Sequence, residues 1–168
     1  MPDLYGAAFH AIPHGCIGVY SLMSGGVGVL DPWSKTRLGF VAPKILTVES
    51  GMDFVTLDIH SIGADEPRNV IKVRSPVCTS QYFLIENRQQ IGFDYPLAWY
   101  GSPETHSGIL IWHIDENVMN GTARGFPNRN WRHRGVSPIG VGKHGWYYNP
   151  FFRADGRRLL TATSGVVP

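Results

Sequence analysis

The spacing of apolar residues after residue 45 predicts β-structure. In residues 54–60, three aliphatic side chains alternate with polar ones, and this period of two residues places the two kinds on opposite faces of a strand. The aliphatic positions are Val55, Leu57 and Ile59. Residues 70–74, 81–87 and 108–115 are predicted to form three further short strands. We therefore expect four short strands in this part of the chain.

The side chains within these strands also predict their surroundings. In residues 81–87, Tyr82 and Leu84 lie on one face, whereas Phe83 and Ile85 lie on the other. Residues 108–115 are apolar on both faces as far as His113, which is typical of a central strand. Because no helical segment separates the strands, they favour an antiparallel sheet or sandwich.

One helix is predicted, over residues 31–39. Asp31 can cap the free N–H groups of the first turn, and Pro32 suits the first helical position, where no N–H is needed. Gly39 can adopt the left-handed conformation that ends a helix. Two turns are not stable alone, so we expect Trp33, which shares a face with Arg37, to dock on the rest of the protein.

These elements predict a mostly-β α+β fold with three parts. Residues 1–44 are loop-rich and hold the short helix, and residues 45–120 form the β-rich region. Residues 121–168 form an irregular basic tail. The glycine-rich stretch 1–30 has no helical period and is interpreted as an ordered loop that carries functional groups.

Composition and charge limit the classes of protein to which this chain can belong. The 168 residues are 43% hydrophobic and 12% aromatic, which is enough for a core. The sequence has no apolar run of roughly 18 residues, so we expect no membrane span, and no signal peptide is visible. Residues 1–123 carry 7 Lys and Arg against 12 Asp and Glu, whereas residues 124–168 carry 8 against 1. A basic end of this kind can contact nucleic acid, but a solvated end is the commoner case.

The same tail contains a stretch with the composition of a surface that binds single-stranded nucleic acid. Residues 128–134 are rich in Asn and Arg, and three aromatic residues follow at Trp146, Tyr147 and Tyr148. No recognised nucleic-acid motif accompanies them, so nucleic acid is not the expected partner.

Cysteines and histidines offer weaker candidates. Cys16 and Cys78 could form a disulfide in an oxidising compartment, and the sequence leaves that pairing open. His10 and His14 have the i, i+4 spacing of a zinc-binding helix, but Ala11 stands where the general base would be. Pro13 also disrupts a helix there, so a surface or structural role is favoured.

Two strands each carry a His and a carboxylate on one face. His113 and Asp115 form one such pair, and Asp58 and His60 form the other. If the strands were neighbours the four side chains could converge on a metal, although a satisfied pair within a sheet is favoured. Glu86 is expected to anchor a buried arginine or a turn, and Arg88 is its nearest candidate in sequence.

Several motifs together resemble the immune inhibitor A family of secreted zinc metallopeptidases. In chain order they are Pro2-Asp3-Leu4-Tyr5, Ser21-Leu22-Met23-Ser24-Gly25-Gly26, Trp33-Ser34-Lys35, Arg37-Leu38-Gly39, Tyr82-Phe83-Leu84-Ile85-Glu86-Asn87-Arg88-Gln89 and Ser107-Gly108-Ile109-Leu110-Ile111-Trp112-His113-Ile114-Asp115-Glu116. The resemblance covers roughly residues 2–116. In that family the active-site helix bears H-E-x-x-H-x-x-G-x-P-D, and a turn containing Met lies under the metal.

The resemblance assigns roles to three residues. Asp3 matches the third zinc ligand, Tyr5 lies where a phenol could stabilise the oxyanion, and Met23 matches the Met-turn. From the residues alone, Asp3 could equally cap a turn and Met23 could be ordinary core packing.

The H-E-x-x-H motif has no counterpart in this chain. A hydrolytic zinc needs three protein ligands and an activated water. The resemblance therefore implies a fragment of a secreted zinc endopeptidase that acts on proteins or peptides. We expect the isolated chain to be inactive and to bind no zinc stably. The alternative is a non-enzymatic β-rich binding or accessory domain.

Overall fold

A five-stranded sheet organises the described part of the protein. The computed structural model describes residues 17–24, 28–52, 55–61, 69–99, 106–121, 127–128, 130 and 132–139. In these residues the strands lie side by side in the order in which they occur along the chain. They are β1 (Lys44–Thr47), β2 (Val70–Arg74), β3 (Gln81–Arg88), β4 (Gly108–Asp115) and β5 (Val136–Pro138).

Helices are short in the described part of the chain. They include the α-helices α1 (Pro32–Arg37) and α2 (Glu116–Gly121). Three 3₁₀ helices comprise Gly18–Tyr20, Leu22–Ser24 and Gly92–Trp99. No helix among the described residues is long and apolar enough to cross a bilayer. A mixed sheet with few short helices confirms the predicted mostly-β α+β class.

The strand pairing differs from the prediction at one edge of the sheet. The pairs β2–β3, β3–β4 and β4–β5 are antiparallel, as expected, but β1 runs parallel to β2. Residues 48–69 connect these two strands, and a connection of that length can return the chain to the starting edge, as parallel pairing requires. The sheet is therefore mixed.

The predicted strand over residues 54–60 is wrong. Residues 55–60 have no regular secondary structure, and Ser61 makes only an isolated bridge to Asn87. Strand β3 already pairs with β2 on one side and with β4 on the other, so residues 55–60 cannot join the sheet beside it. Alternation in sequence cannot form a strand unless a neighbouring strand is free to accept its backbone hydrogen bonds.

The other three strands were predicted correctly, and so was the division of β3 into two faces. In β3, Tyr82, Leu84, Glu86 and Arg88 are buried, while the side chains between them are only partly covered. Strand β4 lies between β3 and β5, which confirms its predicted internal position. Its Trp112 lies opposite Leu84 on one side and Pro138 on the other.

The buried face of the sheet packs against the chain that precedes β1. The core joins apolar residues of the sheet to residues of the segment 17–41. From the sheet they are Val70, Tyr82, Leu84, Leu110, Trp112, Ile114 and Val136, and from the segment Ile17, Val19, Tyr20 and Trp33, with Met23 and Val41 at the edge. We call the face of the sheet that carries Leu84 and Trp112 the covered face.

Helix α1 has the ends that the sequence predicts. Asp31 Oδ1 accepts the N–H of Ser34 at 2.8 Å, Pro32 occupies the first turn, and Gly39 adopts φ 76° after the last turn. Trp33 is buried against the core, and the guanidinium of Arg37 lies 5.6 Å from the centre of its ring. The expected docking of Trp33 is confirmed.

Two elements lie where the sequence showed no period. Helix α2 begins directly after Asp115, whose Oδ1 accepts the N–H groups of Asn117 and Val118 at 2.9 and 3.3 Å. Strand β5 lies in the range assigned to the basic tail, and its three residues pair with Trp112, His113 and Ile114. Such short elements show too few residues for a periodic pattern. The division into three parts stays a prediction.

Candidate functional site

The most concentrated set of charges in the described residues lies on the covered face of the sheet. We call Lys35, Glu86, Arg88 and Asp94 the Arg88 cluster. Arg88 donates from both Nε and Nη2 to the carboxylate of Asp94, a two-pronged ion pair. Its Nη1 reaches Glu86 Oε1 at 3.2 Å, and Lys35 Nζ lies 2.7 Å from Glu86 Oε2. The predicted link between Glu86 and a buried arginine is confirmed.

The cluster is neutral and well satisfied. Two cations face two carboxylates, and Trp112 Nε1 donates a further hydrogen bond to Glu86 Oε1 at 2.9 Å. Glu86 and Arg88 are fully buried. Burial of a charge is costly unless it is paired and hydrogen-bonded, and each of these two groups is both.

Protonation in the cluster follows from these contacts. Burial alone would raise the pKa of Glu86, but the positive charges of Lys35 and Arg88 outweigh it and hold that pKa below its ordinary value. Burial likewise disfavours the charged form of Arg88, and the charges of Glu86 and Asp94 outweigh it, so the pKa of Arg88 is raised. Glu86 and Arg88 therefore stay charged at neutral pH.

The Arg88 cluster also holds the loop that contains the Met-turn candidate. Arg88 Nη1 donates to the carbonyl of Tyr20 at 3.0 Å, and Asp94 Oδ1 accepts the N–H of Val29 at 3.2 Å. These contacts fix the chain on both sides of Leu22–Ser24. The loop is thus attached to β3 by charged hydrogen bonds.

Gly28 is required by this attachment. Its φ is +83°, which L side chains rarely adopt, and a Cβ at this position would collide with Asp94 Oδ1. The same Cβ would lie 3.3 Å from the carbonyl oxygen of Phe93. The backbone of the loop can approach the cluster this closely only because residue 28 has no side chain.

A second polar contact joins the turn to α1. Ser21 Oγ donates to Asp31 Oδ2 at 2.8 Å and accepts the N–H of Asp31 at 3.2 Å. Ser34 Oγ donates to the same carboxylate oxygen at 2.7 Å. Burial raises the pKa of Asp31, while the hydrogen bonds from Ser34 and Ser21 oppose that rise. Asp31 therefore caps α1 and holds the turn with one side chain.

Met23 lies on this anchored turn. Its side chain is partly buried and packs against the core, and its N–H donates to Ser21 Oγ at 3.1 Å. This position is compatible with a packing role. Both interpretations of Met23, as the Met-turn of the resemblance and as ordinary core packing, give it that role. The other two residues assigned by resemblance, Asp3 and Tyr5, lie outside the described residues, as do His10, His14 and Cys16. Cys78 is half-buried, and its pairing with Cys16 stays a prediction.

Glu116 organises a second group of side chains at the start of α2. Tyr82 Oη donates to Glu116 Oε1 at 2.6 Å, and Trp33 Nε1 donates to the same oxygen at 3.2 Å. Burial, followed by the hydrogen bond to Glu116 and its charge, raises the pKa of Tyr82 well above its ordinary value. The Nζ of Lys72 lies 3.5 Å from the centre of the Tyr82 ring, and burial lowers the pKa of Lys72. A phenol held in this way stays protonated.

The histidines and carboxylates of the strands do not converge. Asp115 Oδ2 pairs with His133 Nε2 at 2.8 Å, not with His113, whose Nε2 lies 3.3 Å from Gln81 Oε1. Burial acts to raise the pKa of Asp115, but hydrogen bonds from His133 and from two backbone N–H groups lower it overall. Because residues 55–60 form no strand, Asp58 and His60 are not placed beside this pair in the sheet. Among the residues that the structure describes, no three His, Cys, Asp or Glu side chains could hold a metal ion together.

Two residues of the stretch 128–134 face into the fold. The side chain of Asn128 donates to the carbonyl of Val136 at 2.8 Å and accepts its N–H at 3.1 Å, so it caps the edge of β5. Arg134 is buried, and its Nη1 donates to Ser137 Oγ at 3.2 Å. These two side chains support β5, whereas Asn130, Arg132 and His133 of the same stretch are exposed.

Sequence reasoning located part of this arrangement. It identified Glu86 with Arg88 and the cap at Asp31, but it missed Lys35 and Asp94 as members of the Arg88 cluster. Lys35 lies far before β3 in the sequence, and Asp94 lies beyond the turn that follows β3. The signal for them in the sequence was that charged residues occur near strands that are otherwise apolar.

Comparison of the chain with known protein families, with characterised proteins and with solved structures found no match.

Proposed function

We propose that this chain belongs to a zinc endopeptidase domain of the immune inhibitor A type, and that its described residues support the active site without containing it. In this proposal the complete enzyme is secreted and cleaves proteins or peptides. The chain alone is inactive, because its sequence has no H-E-x-x-H motif. The proposal starts from the motifs between Pro2 and Glu116.

One observation supports the proposal most directly: the turn with Met23 is fixed to the start of α1. The resemblance places the Met-turn and the Trp-Ser-Lys helix in one active-site region, and here Ser21 and Asp31 join them through hydrogen bonds of 2.8 and 3.2 Å. Arg88 fixes the same loop to the sheet through the carbonyl of Tyr20. A metal site needs supporting groups of this kind, because ligands must be held within a fraction of an ångström.

Zinc belongs to the proposal only at the level of the complete enzyme. Asp3 would be its third protein ligand and Tyr5 would stabilise the oxyanion, and both lie outside the described residues. The described residues do not fit a zinc ion, since they bring no suitable group of ligands together. Their role in the proposed enzyme is to position the loop.

The test begins with the gene. The reading frame upstream of Met1 should encode H-E-x-x-H-x-x-G directly before Met1, so that Met1 occupies the variable position that precedes Pro2 and Asp3 in the family motif. The protein expressed with that extension should contain one zinc per chain by elemental analysis and should cleave casein, with cleavage abolished by a chelator. Asp3→Ala in the extended protein should lower the zinc content, whereas Glu49→Ala, at an exposed position after β1, should not.

Two results would contradict the proposal in different ways. A frame without the motif would remove the peptidase assignment altogether. Chelator-sensitive cleavage of casein by the 168-residue chain would instead show that the chain holds a complete site, against the supporting role proposed for it.

A non-enzymatic binding or accessory domain is the second candidate, and a separate observation favours it. The 3₁₀ helix Gly92–Trp99 presents large aromatic side chains to solvent, among them Phe93 and Trp99. A contiguous exposed apolar patch is typical of an interaction site. This candidate requires a stable fold and a ligand, with no zinc-dependent cleavage in either the chain or its extended form.

A further inference from the structure

Four side chains on the sheet face opposite the covered face form one chain of hydrogen bonds. His113 Nε2 lies 3.3 Å from Gln81 Oε1, at one end of the chain. Gln81 Nε2 donates to Asp115 Oδ2 at 3.0 Å, and His133 Nε2 lies 2.8 Å from the same oxygen. The four residues come from β3, from β4 and from the chain just before β5. We call Gln81, His113, Asp115 and His133 the imidazole clasp.

The partners in the clasp determine where each neutral imidazole carries its proton. The carboxylate of Asp115 and the amide oxygen of Gln81 only accept hydrogen bonds, so His113 and His133 both donate from Nε2. The lone pair of each neutral ring is then on Nδ1. A second proton adds to that nitrogen and leaves the existing hydrogen bonds in place. Protonation therefore changes the charge of the clasp without removing one of these contacts.

The clasp contains one carboxylate for two imidazoles. Asp115 contacts His133 directly, whereas it reaches His113 only through an amide. When both rings are protonated, the clasp has one more positive charge than negative charges. A further cation lies close to it, because Arg134 Nη1 donates to Ser137 Oγ at 3.2 Å and Ser137 is paired with His113 in the sheet. Acid thus gives this group an excess of positive charge.

His113 lies where an added positive charge is unfavourable. Its side chain is half-buried, and its neighbours across the sheet are the uncharged residues Phe83 of β3 and Ser137 of β5. The centres of the Phe83 and His113 rings are 5.7 Å apart. Burial lowers the pKa of His113; the charge of Asp115 opposes this change, and the charge of His133 adds to it. The folded protein therefore binds a proton at His113 less readily than the unfolded chain does.

Strand β5 is the element whose separation would relieve this charge. It has three residues, and among the described strands it pairs with β4 alone. His133 precedes Val136, the first residue of β5, by three positions. If this segment leaves β4, the charge of His133 moves away from His113 and water reaches both rings. Val136 is fully buried, and its apolar contacts oppose the separation at neutral pH.

We propose that the imidazole clasp is an acid-sensitive switch that releases β5, with the residues just before it, from the sheet. Release separates the two imidazolium charges at the cost of three residue pairs and one buried valine. The folded state binds fewer protons at His113 than the unfolded state below pH 6.5, the ordinary pKa of histidine, so the hold on β5 weakens as the pH falls below that value. Neither zinc nor peptide cleavage enters this proposal, and it does not depend on the peptidase assignment.

The test measures amide hydrogen exchange of the full chain by mass spectrometry at about pH 7 and about pH 5. After correction for the intrinsic effect of pH on exchange, the protection of residues 136–139 is compared with that of β3 in the same sample. Protection of β5 should fall by up to about tenfold for each pH unit by which the folded pKa of His113 lies below its ordinary value. Protection of β3 should persist, because both pH values lie above 4.5, the ordinary pKa of Glu86.

Three variants assign the effect, each first checked for a native circular dichroism spectrum at neutral pH. His113→Gln leaves an uncharged amide that can still donate to Gln81, so β5 should stay protected in acid. His133→Gln removes the neighbouring charge, so the fall in protection should be smaller but present. His106→Gln is the matched control, because burial also lowers the pKa of His106, which lies before β4 and outside the clasp. Its β5 should lose protection as the unmodified chain does.

Three results would overturn the proposal. The first is unchanged protection of β5 between the two pH values. The second is an equal fall in His113→Gln and in the unmodified chain, because another group would then be responsible. The third is an equal fall in β3 and β5, which would show that acid weakens the whole fold and that β5 is not released by itself.

Discussion

Two side-chain pairs in this protein each join a nitrogen donor to an aspartate carboxylate, and they lie in different surroundings. Arg88 and Asp94 pair inside the protein, where Arg88 is fully buried, whereas His133 and Asp115 pair at a site where the His133 side chain is 58% exposed. Water screens the second pair and solvates either partner if the other is removed. The first pair has no such substitute, so its members depend on each other. Burial thus decides which charges the fold requires.

The contrast extends to what each pair connects. The Arg88 cluster joins β3, α1, the loop before α1 and the helix Gly92–Trp99, which are separate in sequence. Asp115 and His133 join the end of β4 to the chain just before β5, which already lies next to β4 in the sheet. The cluster therefore stabilises tertiary structure, while the pair reinforces a contact that strand pairing makes already.

Arg88→Met should have the largest effect. The variant leaves Glu86 and Asp94 buried without their main partner, and breaking a buried pair in this way costs about 3–5 kcal/mol. The free energy of unfolding, measured by urea denaturation with circular dichroism, should fall by that amount. Arg74→Ala, at an exposed position on β2, is the control and should change little. A loss below about 1 kcal/mol in Arg88→Met would contradict the contrast between buried and exposed pairs.

Acid should weaken the cluster as well. The pKa of Glu86 is lower in the folded protein than its ordinary value of 4.5, so the folded state binds fewer protons than the unfolded state below that pH. The stabilisation is complete above pH 4.5 and is lost as the pH falls through the folded pKa. Urea midpoints should drop across this range, and Glu86→Gln should show a shallower drop. An identical pH profile in the two proteins would show that Glu86 does not contribute.

Gly28→Ala should cost about 1–3 kcal/mol, because it combines an unfavourable positive φ with a collision against Asp94. Gly39→Ala separates the two contributions. Gly39 also has a positive φ, of 76°, but a Cβ there meets nothing within 4 Å. Its loss of unfolding free energy should be about 1 kcal/mol, from the backbone conformation alone. Equal losses in the two variants would show that the loop moves freely away from Asp94.

His133→Ala should have the smallest effect. The pair is largely exposed, and Asp115 keeps three other hydrogen bonds, from Gln81 and from the N–H groups of Asn117 and Val118. The free energy of unfolding should fall by less than about 1 kcal/mol. Asp115→Ala is the informative comparison, because it also removes the cap of α2. Its loss should be larger, by about 1 kcal/mol.

The sequence by itself determined the elements whose causes are local. Asp31, Pro32 and Gly39 specify the ends of α1, since capping and backbone conformation act over three or four residues. Strands β2, β3 and β4 were predicted from short apolar segments, and the division of β3 into two faces followed from the period of two residues. The pairing of Glu86 with Arg88 was also predictable, because two charges on the buried side of a strand must satisfy each other.

Tertiary structure decided the rest. Residues 55–60 alternate like a strand but have no strand beside them. Strand β5 pairs with β4, although its three residues are too few to show a periodic pattern. Lys35 and Asp94 join the Arg88 cluster from elements that only folding brings together. Buried backbone groups and buried charges need hydrogen-bonding partners. Which partners are within reach depends on how distant parts of the chain fold together, and a local pattern in the sequence does not contain that information.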